Sequence, residues 1–254
     1  MNWIVDNIGM ILDLSVVHLR QSVLAIVIGF VLSVPLGWVA WRYTRLRGWI
    51  IVATGLLYTI PSLALFMLLP AVFGYSAISE INLVIALTIY AIAILVRAVA
   101  DGLDSVDPVV RESATALGYG PVRRFFTVEF PLAGPVILAG LRVAAVSTIS
   151  LATVGILIGV TNLGLLFTDG LQRRLIEEVL AGVVAVLVIA LIVDLLLVLL
   201  GRMLMPWTRL GSRRRGGSRS DADASDRAAS VIDPADDPAA IDPGALALTK
   251  GERG

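Results

Sequence analysis

Residues 100–131 read ADGLDSVDPVVRESATALGYGPVRRFFTVEFP and form a strongly charged interior segment between two long apolar runs. It carries Asp101, Asp104, Asp107, Arg111, Glu112, Arg123, Arg124 and Glu129. Asp107 followed by Pro108 is an N-cap and N1 pair, and helix formers run on to Leu117. Gly118 and the Gly120-Pro121 step stop that helix and let a second begin. The segment therefore predicts two short helices with a sharp corner, presented to a partner from between apolar spans.

The surrounding composition says what those spans are. Of 254 residues, 57% are hydrophobic, against about 45–50% in soluble domains, and the mean hydropathy is +0.89. This is the balance of an all-α integral membrane protein. The absence of cysteine excludes disulfides and thiolate metal sites. The basic clusters flank apolar spans or sit near the C-terminus without interleaved aromatics, so nucleic acid is not an expected partner.

Residues 1–20 hold Asp6 and Asp13 where a signal peptide would be basic, and predict an amphipathic helix on the membrane surface. His18, the one histidine, is expected at the interface rather than in a ligand set. Residues 21–210 contain five expected spans, at roughly 22–41, 49–73, 81–100, 132–160 and 179–200, each about 20 residues or longer. The second is interrupted by Tyr58-Thr59-Ile60-Pro61-Ser62. For Thr59, Pro61 and Ser62, packing against other helices and lining a route are both open. The fourth is rich in Ala, Gly, Ser and Thr and is expected at the centre of the bundle. Residues 211–254 are rich in Ser, Asp, Ala, Pro and Gly and are expected to be a disordered tail.

Arginine fixes an expected orientation. Arg42, Arg45 and Arg47 follow the first span, Arg111, Arg123 and Arg124 the third, and Arg202 the fifth, with Arg209 and Arg213–Arg215 beyond it. The connection after the second span has none. The positive-inside rule then puts the N-terminus outside, and both the 100–131 loop and the C-terminus in the cytoplasm of a cell-membrane protein.

Within that loop Glu112-Ser113-Ala114 is followed by Gly118 and, further on, by Val128-x-Phe130-Pro131. This resembles the EAA loop of permease subunits in binding-protein-dependent ABC importers: Glu-Ala-Ala, three residues, Gly, nine residues, Ile-x-Leu-Pro. Ser113, Val128 and Phe130 depart mildly from it. The resemblance implies a type I importer permease fold and docking of the loop on a cytoplasmic ABC ATPase dimer. Glu112 would meet a cation there, Ala114 would pack where a larger side chain clashes, and Gly118 would form the corner. It also implies a second permease subunit, identical or paralogous, and an external substrate-binding protein. ATP and Mg would be bound by the ATPase, with no cofactor or metal on this chain.

Tyr58–Leu65, His18-Leu19-Arg20-Gln21-Ser22 and Asn162-Leu163-Gly164 look like the osmoprotectant branch of that family. Its substrates are glycine betaine, choline, carnitine and proline-type compounds. A permease for another small, amino-acid-like solute and a passive channel stay open as alternatives. An enzyme is disfavoured, because the chain has no G-x-x-x-x-G-K-[ST] phosphate loop and no paired carboxylates or Ser/His pair in its spans. Arg142 and Asp194 both fall about 10–15 Å from the cytoplasmic end of their spans at 1.5 Å per residue. Either they pair, because an unpaired charge at that depth is costly, or each reaches water or the interface on its own.

Overall fold

The computed structural model describes residues 2–207, and the expected tail lies outside them. All regular elements among the described residues are helical. In chain order they are α1 (Asn2–Asp6), α2 (Ile8–Arg42), α3 (Thr44–Thr59), α4 (Ser62–Phe73), α5 (Glu80–Asp104), α6 (Pro108–Ala116) and α7 (Pro121–Arg124). A π turn, Phe125–Glu129, then leads into α8 (Phe130–Ala152) and a 3-10 turn, Thr153–Ile158, before α9 (Gly164–Arg173) and α10 (Ile176–Leu204). Helices α2, α5, the composite Pro121–Ile158 and α10 are each long and apolar enough to cross a membrane. The pair α3 and α4 makes a fifth span only as a bent unit.

Helix α2 departs from the expected division at residue 20. Its 35 residues span about 52 Å, well beyond a hydrocarbon core of about 30 Å. Nothing between Ile8 and Pro35 breaks a helix. The buried positions Ile11, Leu14, His18, Gln21, Ser22, Ala25, Ile26, Gly29, Ser33, Gly37 and Ala40 recur every three or four residues, so one inward stripe runs the whole length. The amphipathic start is therefore the first turns of the first span, and Ile11 and Leu14 share a core cluster with Leu166 of α9 and Ala181 of α10.

The second expected span is not straight. Pro61 drives Ile60 out of the helical region, to ψ 126°, and α3 and α4 meet at 106°. The centre also lies elsewhere than expected. Helix α5, not the small-residue fourth span, is the most enclosed, with Leu83, Leu87, Leu95, Val99 and Leu103 without exposed surface. It is packed by α2, α3, α4 and α8. The small residues of α8 bring it close to this centre: a Cβ on Gly140 would collide with Ala98.

Helices α2 and α5 run parallel, Gly29 facing Ala91 and Gly37 facing Val99. A Cβ on Gly37 would lie 2.6 Å from the Val99 Cβ and 2.9 Å from the Val96 carbonyl oxygen. Helix α8 returns antiparallel, placing Ile137 against Gly102. Arg47 at the start of α3 pairs with Asp101 and Asp104 at the end of α5, which gathers the first and third connections at one end. Gly37→Leu is expected to force α2 off α5 and cost about 1–3 kcal/mol. Gly55→Leu, where nothing lies within 4 Å of an added Cβ, should leave stability unchanged. Thermal unfolding of the detergent-purified variants separates the two.

Candidate functional site

The polar loop is built by its caps. The Asp107 carboxylate accepts from the Val109 N–H at 2.8 Å, with Pro108 at the first helical position. At the other end Tyr119 N–H bonds to Ala114 O and Gly118 N–H to Thr115 O. This closing pair requires a left-handed residue, and Gly118 supplies it at φ +83°. Pro121 starts α7, which runs through the π turn into α8. Here the structure differs from the expected helix pair: α6 alone stands free, and the second helix is the foot of the fourth span. Pro131 sits in the first turn of α8. It lacks an N–H and crowds the carbonyl four residues back, which the widened preceding turn accommodates.

Glu112 and Ser113 are exposed on α6, and the Ser113 hydroxyl donates to Val109 O. Ala114 is the buried residue of this helix. It turns toward its own chain, so its small size serves the seating of α6 rather than a partner's groove. The outward surface combines Glu112 with the exposed apolar side chains Val109, Leu117, Val122 and Phe126. A cleft of about 340 Å³ lies beside it, lined by Val34, Pro35, Trp38, Val122 and Phe126 among others.

Beneath α6 is a charge cluster to which sequence reasoning assigned no role. Glu129 is 1% exposed. Its carboxylate accepts from Arg124 Nε at 2.8 Å and lies 3.2 Å from Arg111 Nε, an ion pair without hydrogen-bond alignment. Arg124 also donates to Thr115 Oγ1 at 2.7 Å, and Arg111 to Leu103 O at 3.2 Å. The Arg111 guanidinium stacks over the Trp41 ring at 4.7 Å. A buried carboxylate without such partners would be prohibitive. The available signal was an acid inside the apolar run Phe125–Pro131.

At the bend of the second span Thr59 and Pro61 are exposed and Ser62 is half-buried. The Thr59 hydroxyl bonds to Leu56 O. The Ile60 carbonyl, freed by the break, accepts from the Tyr90 hydroxyl of α5 at 2.5 Å, while Tyr58 meets Tyr90 edge-on at 5.9 Å. The central helix thus pins the kink from behind and leaves its polar edge open.

The opposite end of the bundle is closed by a buried amide network. Asn162 donates to Gln21 Oε1 at 3.3 Å and to Ala152 O at 2.8 Å, and it accepts from Gly164 N–H. The separate stretches 18–22 and 162–164 are thereby one contact. His18, expected at the interface, is fully buried inside the bundle, with Nε2 3.0 Å from Ile149 O. The inward stripe of α2 carries it there. No group of three His, Asp or Glu that could hold a metal occurs among the described residues.

Arg142 and Asp194 are brought together. Arg142 Nε and a terminal nitrogen donate to the two carboxylate oxygens at 2.6 and 2.7 Å, a bidentate pair joining α8 to α10.

Residues 25–209 match the family described as binding-protein-dependent transport system inner membrane component. The osmoprotectant import permease protein OsmW of Salmonella typhimurium is 34% identical over 183 residues, covering 71% of this chain and 85% of that protein. The glycine betaine/carnitine/choline transport system permease protein OpuCD of Bacillus subtilis is 33% identical, covering 65% and 71%. In fold the chain is similar to the MetNI methionine ABC transporter in an inward-facing crystal form. The TM-score is 0.64 at 20% identity, over 78% of this chain and 95% of that one.

The single substitutions Arg142→Ala and Asp194→Ala are each expected to lower the yield of folded protein, because each strands a charge between spans. The double variant should recover part of the loss, since the two effects are coupled. Fluorescence-detected size exclusion of the three variants measures this; additive losses would exclude coupling.

Proposed function

We propose, for a chain that belongs to the family of inner membrane components of binding-protein-dependent transport systems, that it forms half of the membrane pathway of an ATP-driven osmoprotectant importer. The substrates would be quaternary ammonium and related compounds such as glycine betaine, choline and carnitine. The observation that carries the importer reading is α6, a capped helix with an exposed glutamate and apolar neighbours at the arginine-rich end. It suits a groove on a cytoplasmic ATPase dimer, which would bind ATP and Mg. The substrate class is supported by the names of OsmW and OpuCD.

In this reading the N-terminus is outside and the loop cytoplasmic, following the arginines. A second permease subunit, identical or paralogous, would complete the path about a two-fold axis. The open polar edge at Thr59, Pro61 and Ser62 would line that path. An external binding protein would choose the substrate. Nucleotide-driven closure of the ATPase would displace α6 and rock the bundle between outward-open and inward-open forms.

The test is uptake of labelled glycine betaine, choline and carnitine into vesicles holding the permease, its ATPase and its binding protein. ATP-dependent uptake of at least one is expected; uptake of an unrelated amino acid alone would redirect the substrate assignment. Glu112→Lys should abolish ATPase co-purification while leaving the protein membrane-inserted. Gly118→Val places a β-branched residue in a left-handed turn at a cost of about 1–2 kcal/mol and should weaken docking by about tenfold. Normal ATP-driven uptake by both variants would refute the assignment of α6.

A further inference from the structure

Helix α6 draws its side-chain hydrogen bonds and ion pair to the rest of the bundle from Arg111 and Thr115. Ala114 is its buried residue, too small to anchor nine residues by packing. The remaining ties are Arg111 to Glu129, Arg111 to Leu103 O and the Trp41 ring, and Thr115 to Arg124, itself bound to Glu129. These ties are unequal. The bond to Leu103 O joins α6 to α5, its neighbour in sequence, through a neutral carbonyl. The ties through Glu129 reach the foot of α8 at two points, the Arg111 ion pair and the Thr115–Arg124–Glu129 chain of hydrogen bonds, whose last bond has both donor and acceptor ionised. Among the described residues Glu129 is the one carboxylate that Arg111 and Arg124 reach.

We propose that Glu129 is a positioning residue that locks α6 to α8, so that a displacement of α6 enters the membrane through α8 rather than through α5. This rests on the importer reading and names the route by which its two ends communicate. Three further features fit it. Glu129 ends the π turn that joins α7 to α8, so the lock closes at the junction it must stiffen. Such wide turns recur at functional positions in helices. Its two guanidiniums are themselves mostly covered, with side chains 22% and 21% exposed, so solvent does not dissolve the link. Beyond the junction α8 carries Arg142, whose bidentate pair with Asp194 extends the rigid connection to α10. Removing the Glu129 charge would leave two covered cations facing each other, which repels α6 from α8. Aspartate would keep the charge and give up one methylene of reach.

The test uses the complete importer in vesicles, with ATP hydrolysis and substrate uptake measured together. Glu129→Gln is expected to retain ATPase co-purification and hydrolysis but to move about tenfold less substrate per ATP; Glu129→Asp should restore most of the ratio. A second measurement keeps Glu129 intact. The chain has no cysteine, so spin labels at Ala116 and Leu132, both exposed, report the α6–α8 distance cleanly. That distance should be the same without nucleotide and with a non-hydrolysable ATP analogue. An uptake-to-hydrolysis ratio unchanged by Glu129→Gln, or a distance that shifts with nucleotide, would overturn the lock. An unaltered importer that takes up nothing with ATP would instead overturn the importer reading beneath it.

Discussion

Lipid gives an apolar side chain nearly the same surroundings as a protein interior, so burying Leu87 or Leu95 in this bundle gains little from the hydrophobic effect. What holds α5 among its neighbours is distance. Gly37 lets α2 settle onto Val99 and the Val96 carbonyl, and Gly140 lets α8 settle onto Ala98. Dispersion falls off steeply with separation, and a gap of 0.5–1 Å forfeits about a quarter to a half of a contact's attraction. The three-helix core α2–α5–α8 therefore depends on a few missing Cβ atoms. The other elements are arranged around it: the bent α3–α4 pair leans on α5, and α10 packs on α8, α9 and α2.

With so little force available from apolar burial, polar groups do much of the orienting, and they lie at different depths. At one end the amide of Asn162 ties α2 to the turn before α9. In the middle, Tyr90 holds the carbonyl that Pro61 sets free, and Arg142 holds Asp194. At the other end Glu129 gathers Arg111 and Arg124. Each is a buried or half-buried group that would be costly alone and specifies one arrangement when paired. The bundle is thus tied by polar groups at both ends and at mid-depth, and small residues let the helices approach closely between those ties.

These two kinds of contact explain what the sequence disclosed and what it withheld. The long spans, the caps of α6 at Asp107 and Gly118, and the matched depth of Arg142 and Asp194 are local patterns or energetic necessities, so they could be read directly. The 106° bend required knowing that Tyr90 would be there to receive Ile60 O. The central place of α5 could not be inferred from small-residue content, because α8 uses its small residues to approach the centre rather than to occupy it. His18 was misplaced for a related reason. Treated alone it looks interfacial; treated as one position of an eleven-residue inward stripe on α2, it has to be inside.

Glu112 and Glu129 show why residue type alone does not assign a role in the loop. Both are acids close to arginines in the same charged segment. Glu112 follows Arg111 on a helix whose next turn back is exposed Val109, so its side chain points away from the bundle. Glu129 is flanked by Val128 and Phe130 in an apolar run, and the π turn swings it beneath α6. Its burial there draws both Arg111 and Arg124 inward. The outer face of α6 is consequently left with an acid among exposed apolar side chains and without the nearest basic side chains to neutralise it. On the importer reading, the ATPase that covers this face would bring its own cation. The inner carboxylate thereby sets the charge of the outer surface as well as the direction in which force can leave it.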